Sequence, residues 1–188
     1  MKTILTTFTL ILAATWNLHA EPLKALKVGE AAPAFKIKDT RGKEIDLATL
    51  STKGPVLVRL TCGCLGCDRE LPYFQALHEA YKKEGIRLVA IFAEPDEKFA
   101  KYVKTKKLNM QYALDPGKNS WKIFGTKTMP SNFLIDKGGK VVAISKGCDP
   151  SGLIARNLGD KVAKLVKTTQ VDIKDQVDKN RKQTTPKK

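Results

Sequence analysis

Histidine is nearly absent: the chain of 188 residues has two, His19 near the N-terminus and His78 inside a helically spaced run. A Ser/His/Asp constellation has nothing to assemble from, and His78 reads as a residue on a solvated helix flank rather than a ligand or base. No Gly-rich loop of the phosphate-cradling kind occurs. Acidic residues are the minority charge, 19 against 34 basic ones, for a formal net charge of +15. Nucleic acid is the reflex partner for such a balance, yet no aromatic-interleaved basic motif appears, so none is expected. The excess reads as solvated helix faces, giving solubility or loose attraction to anionic surfaces and acidic partners. Long apolar runs are missing as well. The one candidate, Ile4 to Trp16, is too short and Thr-rich for a membrane span. No internal repeat is visible.

What is present begins with a leader. Lys2 supplies a positive n-region, Ile4 to Trp16 an apolar h-region, and Leu18-His19-Ala20 ends in the small residue that signal peptidase needs. Residues 1–20 are therefore read as a signal peptide, with an uncleaved N-terminal anchor as the alternative. No cysteine follows at the cleavage point, which argues against a lipoprotein. Export to the periplasm places the four cysteines in a disulfide-permissive compartment. Residues 21–27 read as a linker and 28–166 as one domain. Residues 167–188, with seven basic and three acidic side chains and no apolar periodicity, read as a basic disordered tail.

Along the domain, Phe35 to Lys38 and Lys43 to Ile45 flank an Asp39-Thr40-Arg41-Gly42 turn and predict a hairpin. Val56 to Leu60 and Arg87 to Phe92 are strand-like apolar runs. Between them Leu71, Phe74, Leu77 and Tyr81 recur at helical spacing from Cys64 to Glu84. Asp96 to Lys106 is an amphipathic helix with Asp96 as its expected N-cap. Gln111 to Leu114 is a short strand, Ser120 to Phe124 a short helix in which Trp121 and Phe124 face the core. Asn132 to Ile135 and Val141 to Ile144 form a second hairpin, and Ser151 to Val166 a last helix capped by Ser151. Alternating strands and helices followed by an antiparallel hairpin predict a mixed α/β sheet.

Chemistry concentrates at Cys64-Leu65-Gly66-Cys67. This C-x-x-C follows the first apolar strand and opens a helix. Its two thiols can close a disulfide by little more than rotamer change, and the helix N-terminus favours the thiolate of the first. Three other segments stand in order around it: Val28-Gly29-Glu30-Ala31-Ala32-Pro33-Ala34-Phe35, Pro55-Val56-Leu57-Val58, and Gly125-Thr126-Lys127-Thr128-Met129-Pro130-Ser131-Asn132-Phe133-Leu134-Ile135-Asp136. Together with Cys64-x-x-Cys67-x-x-Glu70-x-Pro72 they resemble the exported TlpA/ResA type of thioredoxin-fold oxidoreductase, within the wider redoxin group that includes AhpC/TSA. The resemblance runs from about Val28 to Val166.

That resemblance implies a thioredoxin-like α/β fold, a mixed central sheet flanked by helices with an N-terminal β-hairpin extension. It implies Cys64 as the exposed nucleophile and Cys67 as the more buried thiol that resolves the mixed disulfide. Pro72 would bend the helix, and Pro130 would be the cis-proline facing the C-x-x-C, with Met129 offering its backbone to an incoming peptide. The activity implied is disulfide exchange with protein partners, as a reductant. Apocytochrome cysteines are candidate substrates and a membrane thiol carrier the electron donor. The protein would act as a monomer without cofactor or metal.

The departures from the pattern are specific. Gly63 stands where the family carries an aromatic residue before the first cysteine. Val58 or Arg59 occupies the place of the buried proton acceptor, for which Glu94 is a substitute candidate. Cys62 and Cys148 are additional. In the thioredoxin fold the last strand returns to the active-site rim, which brings Cys148 within reach of Cys62 or Cys64. A structural Cys62–Cys148 disulfide is the preferred reading; a second redox pair and a four-thiolate soft-metal site are the others. A related copper chaperone would need C-x-x-x-C and a distant histidine, and has neither here. Thr61-x-x-Cys64 reproduces part of a peroxidatic signature, with Leu57 in place of its proline and an arginine to be supplied from elsewhere, for example Arg59. That leaves a peroxiredoxin with Cys64 as peroxidatic thiol as the rival enzyme, and a four-cysteine metal-binding module as the non-enzymatic one.

Overall fold

The computed structural model of the protein describes residues 24–184; the leader read at residues 1–20 lies outside them. The expected hairpin forms as β1 (Lys36–Lys38) and β2 (Glu44–Asp46), with Ile37 opposite Ile45. It leads into a short helix the sequence reading had not placed, α1 (Leu47–Lys53). The Asp46 carboxylate caps it, accepting from the N–H groups of Ala48 and Thr49.

The main sheet follows. β3 (Val56–Thr61) and β4 (Arg87–Phe92) run parallel, as do β4 and β5 (Gln111–Leu114). β6 (Ser131–Ile135) lies antiparallel to β3, and β7 (Val141–Lys146) antiparallel to β6. The order is β5-β4-β3-β6-β7, the mixed sheet that the alternation of elements predicts. β3 is central and buried on both faces, which is why it reads as a continuous apolar run rather than an alternating one.

Successive side chains point to opposite faces, so β3 divides its residues between two cores. Val56, Val58 and Leu60 join Phe35, Ile45, Trp121, Phe124 and Phe133 on one face. Leu57 faces the other, under α2 (Leu65–Tyr81) and α5 (Leu153–Leu165), with Phe74, Leu77, Leu134 and Leu158. Arg59 shares the parity of Leu57 and therefore enters the helix-covered face. α3 (Asp96–Lys106) buries Phe99 against Phe92, with ring centroids 4.4 Å apart. α4 (Asn119–Ile123) carries the buried Trp121. Two caps differ from expectation. Pro95 rather than Asp96 precedes α3, and Asp149 rather than Ser151 alone ties the entry to α5, accepting from Ser151 N and Ile154 N at 3.0 and 3.1 Å.

The largest correction concerns the C-terminus. Residues 167–188 do not form a disordered tail throughout: Ile173–Thr184 is a helix, α6. Ile173 and Val177, one helical turn apart, are both buried in the α2/α5 core. The closeness of that packing is read at Gly159 of α5, where an added Cβ would lie 3.2 Å from Ile173 Cγ1. Tyr73 donates to Asp178 at 2.7 Å, and Tyr81 accepts from Val171 N at 2.9 Å. Two apolar side chains in twelve residues give too faint a period to be read from sequence, but they meet a groove that already exists. Among the described residues no helix is long and apolar enough to cross a membrane.

Candidate active site

One end of the main sheet gathers the chemistry. β3 and β4 run parallel and finish there at Thr61 and Phe92; β6 starts there and β7 ends there. Leu60 pairs with Ser131 and Ser131 with Lys146. The chain immediately beyond those residues, Cys62, Pro130 and Cys148, therefore converges on one rim. Gly147 N donates to Pro130 O at 2.9 Å, and the Met129–Pro130 bond is cis. Pro130 is buried and Met129 half-buried.

Cys64 is the N-cap of α2 and is exposed; Cys67, in the first turn, is buried. The helix thus starts at the dithiol, runs on through Pro72 and leaves that proline internal. Cys62, half-buried at the end of β3, places its Sγ 3.0 Å from that of Cys64 and 3.3 Å from that of Cys67. The three sulfurs lie within 4.8 Å of one another. All four thiols are free, so the Cys62–Cys148 bond preferred in the sequence reading is not formed here. Cys148 instead covers Gly66. An added Cβ at Gly66 would stand 3.0 Å from Cys148 Sγ, a tight contact that the Cys148 side chain would have to relieve by shifting a few tenths of an ångström.

The electrostatics separate the thiols. Donation from the Cys62 S–H, joined by the Cys67 and Gly66 N–H groups at the helix N-terminus, lowers the Cys64 pKa below that of an ordinary thiol. Cys62 is pushed strongly upward by burial and by the adjacent Cys64. Cys148 is raised by burial and by the charge of Glu70. Of Cys62, Cys64 and Cys148, the exposed Cys64 is thus the one whose ionisation is favoured, with Cys62 as its proton-bearing donor.

Below the dithiol lies a charged network that the sequence reading missed. Arg59 Nη2 donates to Glu70 Oε2 at 2.8 Å with both side chains essentially inaccessible, while Arg59 Nη1 donates to Asn132 Oδ1 at 3.0 Å. Asn132 in turn reaches Ser145 Oγ at 3.0 Å, and Glu70 Oε1 accepts Asp149 N at 2.8 Å. The guanidinium also lies 3.9 Å from the Phe74 ring centroid. The network joins β3, α2, β6, β7 and the Cys148 loop. An arginine in an otherwise apolar strand was the available signal, because a buried charge requires a partner. With both terminal nitrogens engaged in the interior, Arg59 is committed to this network, which weakens it as a peroxidatic arginine.

The opposite flank uses Gly63. Its N–H donates to Glu94 Oε1 at 2.5 Å, and a Cβ there would meet the Tyr102 ring at 3.3 Å. Glu94 Oε2 is buried with no hydrogen-bond partner among the described residues. Tyr102 donates to Asp68 at 2.6 Å, and Lys106 pairs with the same carboxylate at 2.7 Å. Tyr102 thus places an aromatic face beside the loop where the family motif would carry one within it.

The model of the AhpC/TSA family matches residues 28–144 of the sequence. The chain belongs to the AhpC/TSA family. Within it, the thiol-disulfide oxidoreductase ResA of Bacillus thuringiensis subsp. konkukian is 36% identical over 123 residues, spanning 65% of this chain and 71% of the relative. A solved thiol:disulfide interchange protein from Bacteroides sp. superposes with a TM-score of 0.62 at 26% identity, over 77% of this chain and 93% of that one. Peroxidoxin BcpB of Mycobacterium tuberculosis, at 21% identity, has a TM-score of 0.58 over 76% of this chain and 97% of its own. The fold is thus shared with a peroxidoxin, and the activity is read from the sequence relatives, which are thiol-disulfide oxidoreductases. The protein is a thiol–disulfide oxidoreductase with a thioredoxin-like fold.

Proposed function

We propose that the protein is exported to the periplasm and reduces disulfides in protein partners through Cys64 and Cys67. The observation that carries this is the exposed Cys64 sulfur at the α2 N-terminus, whose ionisation the donors around it favour. Cys64 attacks a partner disulfide, forming the mixed disulfide and releasing one partner thiolate. Cys67 then attacks Cys64 Sγ, releasing the second partner thiolate and leaving Cys64–Cys67 oxidised. Met129 and Pro130 flank the site and offer backbone for the partner segment to lie against. A membrane thiol carrier returns the two electrons, and apocytochrome cysteines are the substrate class that the resemblance to the TlpA/ResA type implies.

A redox titration tests both activity and direction. The mature protein is equilibrated in graded glutathione buffers, alkylated and weighed intact. A Cys64–Cys67 bond that opens reversibly, at a potential below that of the partner disulfide, supports the reductant; each 30 mV corresponds to about 1.4 kcal/mol. A potential in the range of strong oxidants would reverse the direction, and Cys64→Ala with undiminished disulfide reduction would remove the nucleophile assignment.

A further inference from the structure

We propose that Cys62 is a second resolving thiol: it attacks the Cys64 mixed disulfide from the β3 side, in competition with Cys67. The proposal rests on Cys64 being the attacking thiol. A C-x-x-C oxidoreductase needs one resolving sulfur, and a third at contact distance has no role in the scheme above. Cys62 Sγ is 3.0 Å from Cys64 and 3.3 Å from Cys67, inside the ordinary contact distance of two sulfurs. Those spacings are also shorter than a soft-metal site prefers, since two thiolates at about 2.3 Å from a tetrahedral zinc stand roughly 3.8 Å apart. The arrangement matches sulfurs positioned for exchange.

The local chain permits the bond. Gly63, between Cys62 and Cys64, carries no side chain to obstruct the loop, and Glu94 and Tyr102 fill the space that one would take. Cys62 is also half-exposed, so its proton has a route to water. In the resting state burial and the adjacent Cys64 sulfur hold its proton in place. Burial still favours the protonated form once Cys64 is bonded to a partner, but ionising Cys62 then no longer places two thiolates side by side.

The chemistry balances. Cys64 thiolate breaks the partner disulfide and forms the mixed disulfide, expelling one partner thiolate. Cys62, having lost its proton to solvent, attacks Cys64 Sγ; the Cys62–Cys64 bond forms and the second partner thiolate leaves. The partner gains two electrons and the Cys62/Cys64 pair loses two. Cys67 can then attack Cys64 Sγ, expelling Cys62 thiolate and giving Cys64–Cys67 with no net oxidation. Two resolving directions shorten the lifetime of the mixed disulfide and leave the oxidised enzyme as two interconverting isomers.

Reduced Cys67→Ala and Cys62→Ser/Cys67→Ala proteins are treated with glutathione disulfide, quenched in acid at intervals, alkylated and mapped by mass. Cys67→Ala should lose its Cys64–glutathione adduct to an internal Cys62–Cys64 bond about tenfold or more faster than the double variant releases its own. Equal persistence of the two adducts, or an internal bond to Cys148, would overturn the proposal. The unsubstituted protein gives an independent reading. Quenched during oxidation, it should contain molecules with Cys67 free as well as molecules with Cys62 free. Cys62 free throughout would overturn the second resolving route while leaving Cys64–Cys67 intact as a dithiol. No glutathione uptake at Cys64 in any form would overturn the dithiol reading, and this proposal with it.

Discussion

At the scale of single residues, the site is governed by which sulfur keeps a proton. Cys64 ionises early because Cys62 and the helix N-terminus donate to it. A lowered pKa means the thiolate persists as pH falls below the ordinary thiol range, so Cys64 alkylation should remain fast at pH values where an unperturbed thiol has slowed. Cys62→Ala removes the strongest donor, and the rate-against-pH profile of Cys64 should then move to higher pH. Iodoacetamide kinetics across pH checks both the position and the shift; an unmoved profile would show that the N–H groups suffice. Gly66 gives a second prediction at this scale. Gly66→Ala puts a Cβ 3.0 Å from Cys148 Sγ, so it should lower the melting temperature, and Cys148→Ala in the same chain should restore part of the loss. The match between Gly66 and Cys148 is invisible in the sequence, because 82 positions separate them and nothing local links them.

At the scale of elements, two features hold the site in place. The Arg59–Glu70 pair crosses from β3 to α2 in the interior. Removing one partner leaves a buried charge unpaired, so Arg59→Met should cost about 3–5 kcal/mol in urea unfolding, and Arg59→Met/Glu70→Leu should recover most of that. A double variant as unstable as the single one would show that the stability comes from Asn132 and Asp149 rather than from the pair. α6 is the second feature. Ile173→Ala removes a fully buried side chain from the α2/α5 groove, with an expected loss of about 2–5 kcal/mol. Hydrogen exchange should show Ile173–Thr184 opening first in that variant. A chain whose C-terminal residues were a disordered tail would show neither effect.

Over the whole molecule, the sheet topology is what makes a site from scattered segments. Parallel β3 and β4 deliver Cys62 and Glu94 to the same edge at which antiparallel β6 begins and β7 ends, so Pro130 and Cys148 arrive there as well. The net charge of +15 acts at the same scale. Reduction of acidic disulfide-bearing proteins should outpace that of basic ones at low salt, and the difference should narrow as salt screens charges beyond about 10 Å. Stopped-flow rates with two substrates of opposite charge at two ionic strengths measure it, and an unchanged ratio would leave the charge with a role in solubility alone.

Much of this was written locally. Cys64-x-x-Cys67 before a helical run, the Gly125–Asp136 block with Pro130, and the apolar β3 and β4 are contiguous patterns, each carrying its own spacing and turn chemistry. They determined the strand and helix order, the mixed sheet and the dithiol. Tertiary structure decided the partners. Cys62 joined Cys64 and Cys67 rather than Cys148 because β3 ends beside the helix it feeds, while Cys148 was carried over Gly66 by β7. Arg59 could be recognised as an anomaly in its strand, but not as the partner of Glu70 and Asn132. α6 became a helix because a groove between α2 and α5 accepted Ile173 and Val177. Local periodicity determines elements. Contacts between residues far apart in the chain exist only once the sheet has fixed which ends meet, and here those contacts place the Arg59 network beneath the dithiol and Cys148 over Gly66.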